Sequence, residues 1–277
     1  MAYDVPSTSG RGRLTIRSMD TIRIVISGAG KMGRQVAEAV AAEEGMEAVA
    51  YLDALAVGDT FGELPLYQDA ILCIDDKKPD VIIDFSNAAW TPVLAEAAMA
   101  RNVRLVIGTT GLAPEFVAWL ETEATARKVG VVQTANFAIG AILMMHFAKQ
   151  AARFFESAEI IELHHDQKVD SPSGTAKATA ELMAASRAKA FRHKKSDKEP
   201  LVGARGAEYE GIAIHSVRLP GFVASQEVIF GGLGQTLSIR HDTTGRESFM
   251  PGLMAATREV MGLERLVVGL DALFGLS

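Results

Sequence analysis

The sequence predicts an α/β protein in which a doubly wound parallel sheet domain is followed by a second α+β domain with an open mixed sheet. Short apolar runs alternate with helical stretches from Thr21 to about residue 135, as in consecutive βαβ units. From about Phe137 the order changes, and three strand-like runs follow one another with turns between them. These patterns predict a first domain over residues 21–135, a second over 136–246, and C-terminal helices over 247–277 that return to the first domain.

The elements of the first domain follow from the apolar runs and their spacing. Strands are predicted at residues 21–27, 46–53, 79–85, 103–108 and 128–133. Helices are predicted between them at residues 31–45, 88–102 and 113–128. Pro114 suits the first turn of the last of these helices, where no backbone N–H is needed.

A glycine-rich loop joins the first predicted strand to the first predicted helix. Gly28, Gly30 and Gly33 form G-x-G-x-x-G in the strand-to-helix context that a dinucleotide-binding motif requires. Glycines permit the tight turn, and backbone N–H groups at a helix N-terminus attract a pyrophosphate. The loop therefore predicts a Rossmann-like nucleotide site formed by Gly28, Ala29, Gly30, Lys31, Met32 and Gly33.

Asp53 ends the second predicted strand and bears on the choice of nucleotide. An acidic side chain there accepts hydrogen bonds from the adenosine ribose hydroxyls and repels a 2′-phosphate, so NADH is expected over NADPH. Lys31 and Arg34 are candidate phosphate contacts, which keeps NADPH open, and an ordinary loop aspartate is the alternative interpretation.

Small polar residues follow the other predicted strands of the first domain, in the segments SNAA, GTTG and TANF. An open α/β sheet binds its ligand beyond the carboxyl ends of its strands, which is where these segments fall. With the glycine loop they favour nucleotide binding, and Phe85 at the end of the third strand is assigned to the same site.

Composition excludes several classes of function. The formal net charge of −6 gives no basic field for nucleic acid, and the basic segment 187–198 is expected to be a solvated helix end or loop. The single cysteine, Cys73, excludes an internal disulfide and a cysteine-rich metal site, and it is expected to be a small buried hydrophobe. No apolar run reaches the length of a membrane span, and residues 1–20 are expected to be a disordered extension, which together predict a cytoplasmic protein without a metal.

The segment ELHHDQKVDSPSGT, Glu162 to Thr175, gathers groups that handle protons and anions. Two histidines and Lys168 can donate protons or carry positive charge. Ser171 or Ser173 can cap a following helix, whose first N–H groups would form an anion trap at Gly174 and Thr175. Beside a nicotinamide, this pattern predicts reduction of a small dianionic substrate; a capped helix with incidental histidines is the alternative.

The same segment resembles the signature of the 4-hydroxy-tetrahydrodipicolinate reductase (dihydrodipicolinate reductase) family of bacterial lysine and diaminopimelate synthesis. GTTG, ANF, HSVRLPGFVASQEVIFGGLGQTLSIRHD and SFMPG also resemble family segments in the same order, so the resemblance extends from about Ile22 to the C-terminus. It implies an NAD(P)H-dependent reductase of a small cyclic dicarboxylate, assembled as a homotetramer through the second-domain sheets.

The resemblance also implies residue roles. His164 would be the catalytic proton donor or acceptor, with Lys168 as second donor and substrate ligand. The substrate contacts would be His165, Ser173, Gly174, Thr175 and Thr110, and the nicotinamide site would comprise Gly108, Thr109, Thr110, Thr134, Ala135, Asn136 and Phe137. This sequence departs from the family pattern in two places. Many relatives have a longer glycine loop, and many that use both cofactors carry an arginine at the position of Ala54.

Two other functions remain open on the residues alone. Another two-domain dehydrogenase would share the first domain but not the His-His-x-x-Lys segment, and a non-enzymatic NAD(H)-sensing protein would need no proton donor. A geometric objection also stands, since adjacent residues of a regular strand point to opposite faces and His164 and His165 could not then serve one site.

Overall fold

The computed structural model describes residues 21–276, and the chain divides into two compact units. Within the described residues, the first unit comprises 21–139 with 249–276, and the second comprises 140–248. The N-terminal extension expected over residues 1–20 lies outside the described part of the chain.

The first unit begins with a run of alternating strands and helices. Its strands are β1 (Ile22–Ser27), β2 (Met46–Leu52), β3 (Thr60–Phe61), β4 (Leu64–Tyr67), β5 (Val81–Asp84), β6 (Arg104–Ile107) and β7 (Val131–Gln133). Its helices are α1 (Lys31–Ala42), α2 (Ala70–Lys77), α3 (Thr91–Ala100) and α4 (Pro114–Arg127).

The second unit and the returning segment follow. They comprise α5 (Ile139–Ala151), β8 (Ser157–His164), α6 (Gly174–Ala185), β9 (Ala207–Tyr209), β10 (Ile212–Arg218), β11 (Ala224–Gly232), β12 (Gln235–Thr243), α7 (Met250–Glu259), β13 (Leu266–Val268) and α8 (Leu270–Leu273).

The sheet of the first unit confirms the predicted Rossmann-like fold. Its strand order is β13-β7-β6-β5-β1-β2-β4-β3, with every neighbouring pair parallel except β3 and β4. The chain leaves β1 toward β2 and later returns to build outward through β5, β6 and β7. Strand order therefore reverses beside β1, and the crevice at such a switch point is where doubly wound sheets bind nucleotides.

The core of this sheet explains why its strands read as continuous apolar runs. Ile24, Ile26, Ile82 and Ile83 are fully buried, because helices cover both faces of a parallel sheet. Cys73 is buried in α2, as expected, and burial raises the pKa of its thiol to about 12. A thiol held protonated in this way packs as an apolar group.

Parts of the secondary structure differ from the sequence prediction. The expectation of only helices after residue 247 is wrong at Leu266–Val268, which forms β13 beside β7, with Leu266 opposite Val131. This edge strand depends on a partner far away in sequence, so no local pattern marks it. Helix α1 also ends at Ala42 rather than at residue 45, and the β3–β4 hairpin and α2 fill a region to which no element was assigned.

The sheet of the second unit is open and mixed, as predicted. Its order is β12-β11-β8-β10-β9, with β8 and β10 parallel and the other neighbours antiparallel. Helices α5 and α6 contribute to the core on one face through Ala148, Ala176 and Ala180, which cluster with Ile160 and Val228. No helix among residues 21–276 is both long and apolar enough to cross a membrane.

Candidate active site

Two positions in the glycine loop of the first unit accept no residue other than glycine. Gly28 has φ +102°, and a Cβ there would lie 2.6 Å from the Phe85 carbonyl oxygen. A Cβ on Gly33 would lie 2.0 Å from the Gly28 carbonyl oxygen. The loop therefore folds tightly against its own helix, which brings the start of α1 to the carboxyl end of β1.

The start of α1 is free to bind an anion. Gly30, the N-cap, supplies no capping side chain, and the N–H groups of Lys31, Met32 and Gly33 have no hydrogen-bond partner among residues 21–276. Unpaired N–H groups and the positive end of the helix dipole together favour a phosphate. These residues therefore fit the pyrophosphate of a dinucleotide.

Asp53 lies beside the same loop. Its carboxylate accepts hydrogen bonds from Ala29 N at 2.9 Å and from Leu55 N at 3.0 Å, which fixes its orientation. A cleft of about 570 Å³ opens here, lined by Gly28, Gly30, Asp53, Ala54, Leu55, Ala56, Phe85, Ser86, Asn87, Ala89 and Trp90. The cleft gathers the glycine loop, the acidic side chain and Phe85, as a dinucleotide site requires.

Asp84 organises the next two strand ends, and the sequence analysis gave it no role. It is fully buried at the end of β5 and accepts hydrogen bonds from the hydroxyls of Ser86 (2.6 Å), Thr91 (2.6 Å) and Thr109 (2.8 Å). Thr109 Oγ1 in turn accepts from Ser86 N at 3.1 Å. One carboxylate thus ties the loop after β5 to the loop after β6, which carries the exposed Thr110.

The predicted nicotinamide residues come together on this side of the sheet. Phe85 packs against Phe137 with their ring centroids 5.6 Å apart, and a Cβ on Gly108 would lie 2.2 Å from Phe85 Cε1. Thr134 Oγ1 donates to the Asn136 carbonyl at 3.0 Å and accepts from Asn136 N at 3.2 Å, which closes the turn after β7 around Ala135. The absence of a side chain at Gly108 thus leaves the space that the Phe85 ring occupies.

In the second unit, His164 and His165 lie at the C-terminal end of β8. Strand β8 ends at His164, and a turn follows in which Lys168 N donates to the His165 carbonyl at 3.2 Å. His165 therefore lies outside regular strand geometry, and the alternation of faces that would separate it from His164 does not apply. Lys168 Nζ pairs with Asp170 at 2.6 Å and keeps about a fifth of its side chain exposed (22%).

His164 is bound to a buried carboxylate. Its Nδ1 lies 2.5 Å from Glu162 Oε2, and Arg218 donates to both oxygens of Glu162, at 2.8 and 2.7 Å. Burial, the largest influence, lowers the pKa of His164 below its ordinary 6.5, although the hydrogen bond to Glu162 acts in the opposite direction. Burial would raise the pKa of Glu162, but its hydrogen bonds from Arg218, Ser216 and His164 outweigh burial and leave that pKa below the ordinary value.

The start of α6 forms the second anion cradle. Ser173, the N-cap, accepts from Ala176 N at 3.2 Å through its hydroxyl, and its own N–H donates to Glu162 Oε1 at 3.2 Å. The N–H groups of Gly174 and Thr175 have no partner within the described residues, and no atom lies within 4 Å of a Cβ placed on Gly174. A carboxylate can therefore approach the helix end directly.

These features define a two-domain, nucleotide-dependent oxidoreductase: a dinucleotide cleft in one unit, and in the other a histidine joined through a buried carboxylate to a helix start with free N–H groups. A family model for the N-terminus of dihydrodipicolinate reductase matches residues 22–137, and one for its C-terminus matches residues 140–274. The chain belongs to the dihydrodipicolinate reductase family.

Relatives of high similarity cover nearly the whole chain. The 4-hydroxy-tetrahydrodipicolinate reductase of Geobacillus thermodenitrificans is 49% identical over 260 residues, 91% of this chain and 98% of that protein. That of Moorella thermoacetica is 48% identical over 262 residues, with the same coverage. The dipicolinate-bound dihydrodipicolinate reductase from Paenisporosarcina sp. TG-14 is 43% identical, with a TM-score of 0.84 over 91% of this chain and 98% of that one.

Proposed function

We propose that this protein catalyses the NAD(P)H-dependent reduction of 4-hydroxy-tetrahydrodipicolinate to tetrahydrodipicolinate in lysine and diaminopimelate biosynthesis. The observation that carries the proposal is the joining of His164 to the start of α6 through Glu162, which couples a proton donor to a carboxylate cradle. The names of the similar reductases and the dipicolinate bound to one of them support a small cyclic dicarboxylate as substrate.

The residues of the second unit divide between proton transfer and substrate binding. His164 exchanges a proton with the substrate, and Lys168 supplies a second proton and a positive charge. One substrate carboxylate is held by the free N–H groups of Gly174 and Thr175, behind the cap that Ser173 provides. His165, exposed in the turn after β8, is the remaining proposed substrate contact of this unit, and Thr110, exposed after β6, is the one proposed in the first unit.

The residues of the first unit hold the nucleotide. When bound, the nicotinamide supplies the hydride for the reduction. The pyrophosphate fits the N–H groups at the start of α1, and the nicotinamide fits the wall formed by Phe85, Gly108, Thr109 and the turn from Thr134 to Phe137. NADH is favoured over NADPH because Asp53 is oriented into the cleft with Ala54, rather than an arginine, beside it.

A coupled assay tests the proposal. The substrate is generated from pyruvate and aspartate semialdehyde, and oxidation of NADH and NADPH is followed separately. We expect substrate-dependent oxidation, faster with NADH, and a large loss of kcat in His164→Gln and Lys168→Met with NADH affinity nearly unchanged. Absence of oxidation in the wild type, or wild-type turnover in both variants, would contradict the proposal and favour another dehydrogenase or an NAD(H) sensor.

The proposed enzyme is a cytoplasmic homotetramer that assembles through the sheet of the second unit. One face of this sheet carries the helix-covered core, and alternation along β8, β10 and β11 turns Ile161, Val217 and Ile229 to the other face. Those side chains are partly exposed, so a symmetric contact between sheets would bury them.

A further inference from the structure

Glu162 is a fully buried carboxylate that receives hydrogen bonds from three separate parts of the second unit. We propose that Glu162, held by Arg218, is a positioning residue that fixes His164 as the Nδ1–H tautomer and couples it to the carboxylate cradle of α6. The inference rests on the proposed function, since it assigns the chemical state of the proposed proton donor.

The contact between Glu162 and His164 selects the tautomer. An ionised carboxylate only accepts hydrogen bonds, so a ring nitrogen 2.5 Å from it must carry a hydrogen. That nitrogen is Nδ1, which leaves Nε2 as the atom that gives or takes the substrate's proton. The proton therefore moves through one defined end of the ring.

The carboxylate itself cannot turn. Oε2 accepts from Arg218 Nη1 (2.8 Å) and His164 Nδ1, and Oε1 accepts from Arg218 Nη2 (2.7 Å) and Ser173 N (3.2 Å). Arg218 is fixed in turn, because it also donates to the carbonyls of Val217 (2.7 Å) and Asp170 (2.8 Å). Each oxygen thus accepts from two of these donors, and the Ser216 hydroxyl, which can rotate to donate or accept, is a further hydrogen-bond partner of the carboxylate.

Replacing the carboxylate by an amide has a predictable outcome. If the amide nitrogen of Glu162→Gln took the Oε1 position, it would face two donors, Arg218 and Ser173 N. In the Oε2 position it faces only one fixed donor, Arg218, and it can donate to His164 Nδ1. The amide therefore settles with its oxygen still accepting from Ser173 N, and His164 switches to the Nε2–H tautomer.

This substitution separates the two functions of Glu162. Ser173 N keeps its hydrogen-bond acceptor, so the carboxylate cradle at the start of α6 is unchanged and KM should change little. The tautomer inverts and the anion that stabilises the imidazolium is lost, so kcat should fall by about 100-fold or more, as when an acid that orients a catalytic histidine becomes an amide.

The test combines NMR with kinetics on the full-length protein. Imidazole ¹⁵N spectra are recorded for the wild type, with the His164 signals identified as those missing from His164→Gln. We expect the Nδ1–H tautomer in the wild type, the Nε2–H tautomer in Glu162→Gln, and a loss of kcat without a matching change in KM. Glu181→Gln is the matched control, because Glu181 is a partly exposed residue of α6 that pairs only with Lys177 among the hydrogen bonds and ion pairs of the described chain.

Each outcome decides the proposal. An Nε2–H tautomer in the wild type overturns it, and so does a Glu162→Gln variant that keeps the wild-type tautomer or turns over at the wild-type rate. The wild-type tautomer is assigned with His164→Gln alone and without substrate, so it remains decisive if Glu162→Gln does not fold. If the coupled assay shows no reaction while the spectra follow the expected pattern, the proposed function fails but the assignment of the tautomer holds.

Discussion

At the scale of single residues, each unit contains one buried carboxylate that organises the proposed functional residues of that unit. Asp84 collects three hydroxyl groups at the strand ends of the first unit, and Glu162 collects Arg218, His164 and Ser173 N in the second. A buried carboxylate is costly unless its lone pairs are satisfied, and here they are. Neither is proposed to contact substrate: Asp84 holds Thr109 of the proposed nicotinamide wall, and Glu162 holds His164 and Ser173 of the proposed substrate site.

The burial of His164 predicts the pH dependence of activity. Its pKa in the folded protein lies below 6.5, because burial disfavours the imidazolium more than Glu162 favours it, while Lys168 and Arg218 add repulsion. We expect kcat/KM to decline as pH rises through that lowered pKa, since the protonated donor is lost there. A pH profile of kcat/KM with NADH tests this. The prediction is contradicted if kcat/KM falls with rising pH at the same pH in Glu162→Gln as in the wild type.

The same group acts on stability in the opposite direction. Because the folded pKa of His164 lies below the value for an unfolded chain, the unfolded state binds more protons below about pH 6.5, and stability is lost as pH falls through the folded pKa. Glu162, whose pKa is also lowered, acts in the same sense below its ordinary 4.5. Activity is therefore expected to rise toward acid until loss of the fold overtakes it.

At the scale of elements, the start of a helix is the proposed anion site in both units. Helix α1 lacks a side-chain cap at Gly30, whereas α6 has one at Ser173, and in each the first N–H groups remain free within the described structure. The first cradle is open because its cap residue has no side chain. The second is open because Gly174, just inside the helix, has nothing facing it.

The glycine loop predicts two distinct effects of added methyl groups. A Cβ on Gly33 would lie 2.0 Å from a carbonyl oxygen, so Gly33→Ala should destabilise the first unit by about 3 kcal/mol or more. No atom lies within 4 Å of a Cβ on Gly30, whose φ of −91° suits any residue, so Gly30→Ala should fold normally. It lines the cleft, however, and should weaken NADH binding.

Thermal unfolding and NADH fluorescence titration separate these effects, with Gly262→Ala as a control outside the cleft, since a Cβ there meets no atom within 4 Å. Equal stability loss in Gly30→Ala and Gly33→Ala would show that the loop's tightness does not depend on the contact between Gly33 and the Gly28 carbonyl.

At the scale of the whole molecule, each unit carries one half of the proposed chemistry. The C-terminal part of the chain returns to the first unit, where α7 packs on α1 and β13 extends the sheet beside β7. The first unit is thus built from residues at both ends of the described chain. In the second unit, the sheet face with the partly exposed Ile161, Val217 and Ile229 is the one proposed for assembly.

The proposed tetramer can be tested at the centre of that face. Ile161 lies between Glu227 and His215 in the sheet register, so Ile161→Glu should disfavour contact between sheets without disturbing the opposite, helix-covered face. Light scattering after size exclusion is expected to give a tetramer for the wild type and a smaller species for Ile161→Glu. Leu72→Glu, at a position 64% exposed in the first unit, is the control. A monomeric wild type, or a variant that stays tetrameric, would contradict the assembly.

The sequence alone was sufficient for the features that short segments encode. Alternating strands and helices, a G-x-G-x-x-G turn and the polar segment from Glu162 to Thr175 predicted the fold class and the places where chemistry concentrates. These features depend on backbone freedom, helix capping and periodicity, all of which act over a few residues.

Only the tertiary structure decided how those segments are held. The partners of Glu162 and Asp84 lie up to 56 and 25 residues away, so their contacts depend on strand register, which a single sequence does not display. Strand β13 needs β7 for the same reason. The histidine pair shows the limit most clearly: residue alternation predicts opposite faces, and only the end of β8 at His164, fixed by its neighbours β10 and β11, removes that constraint.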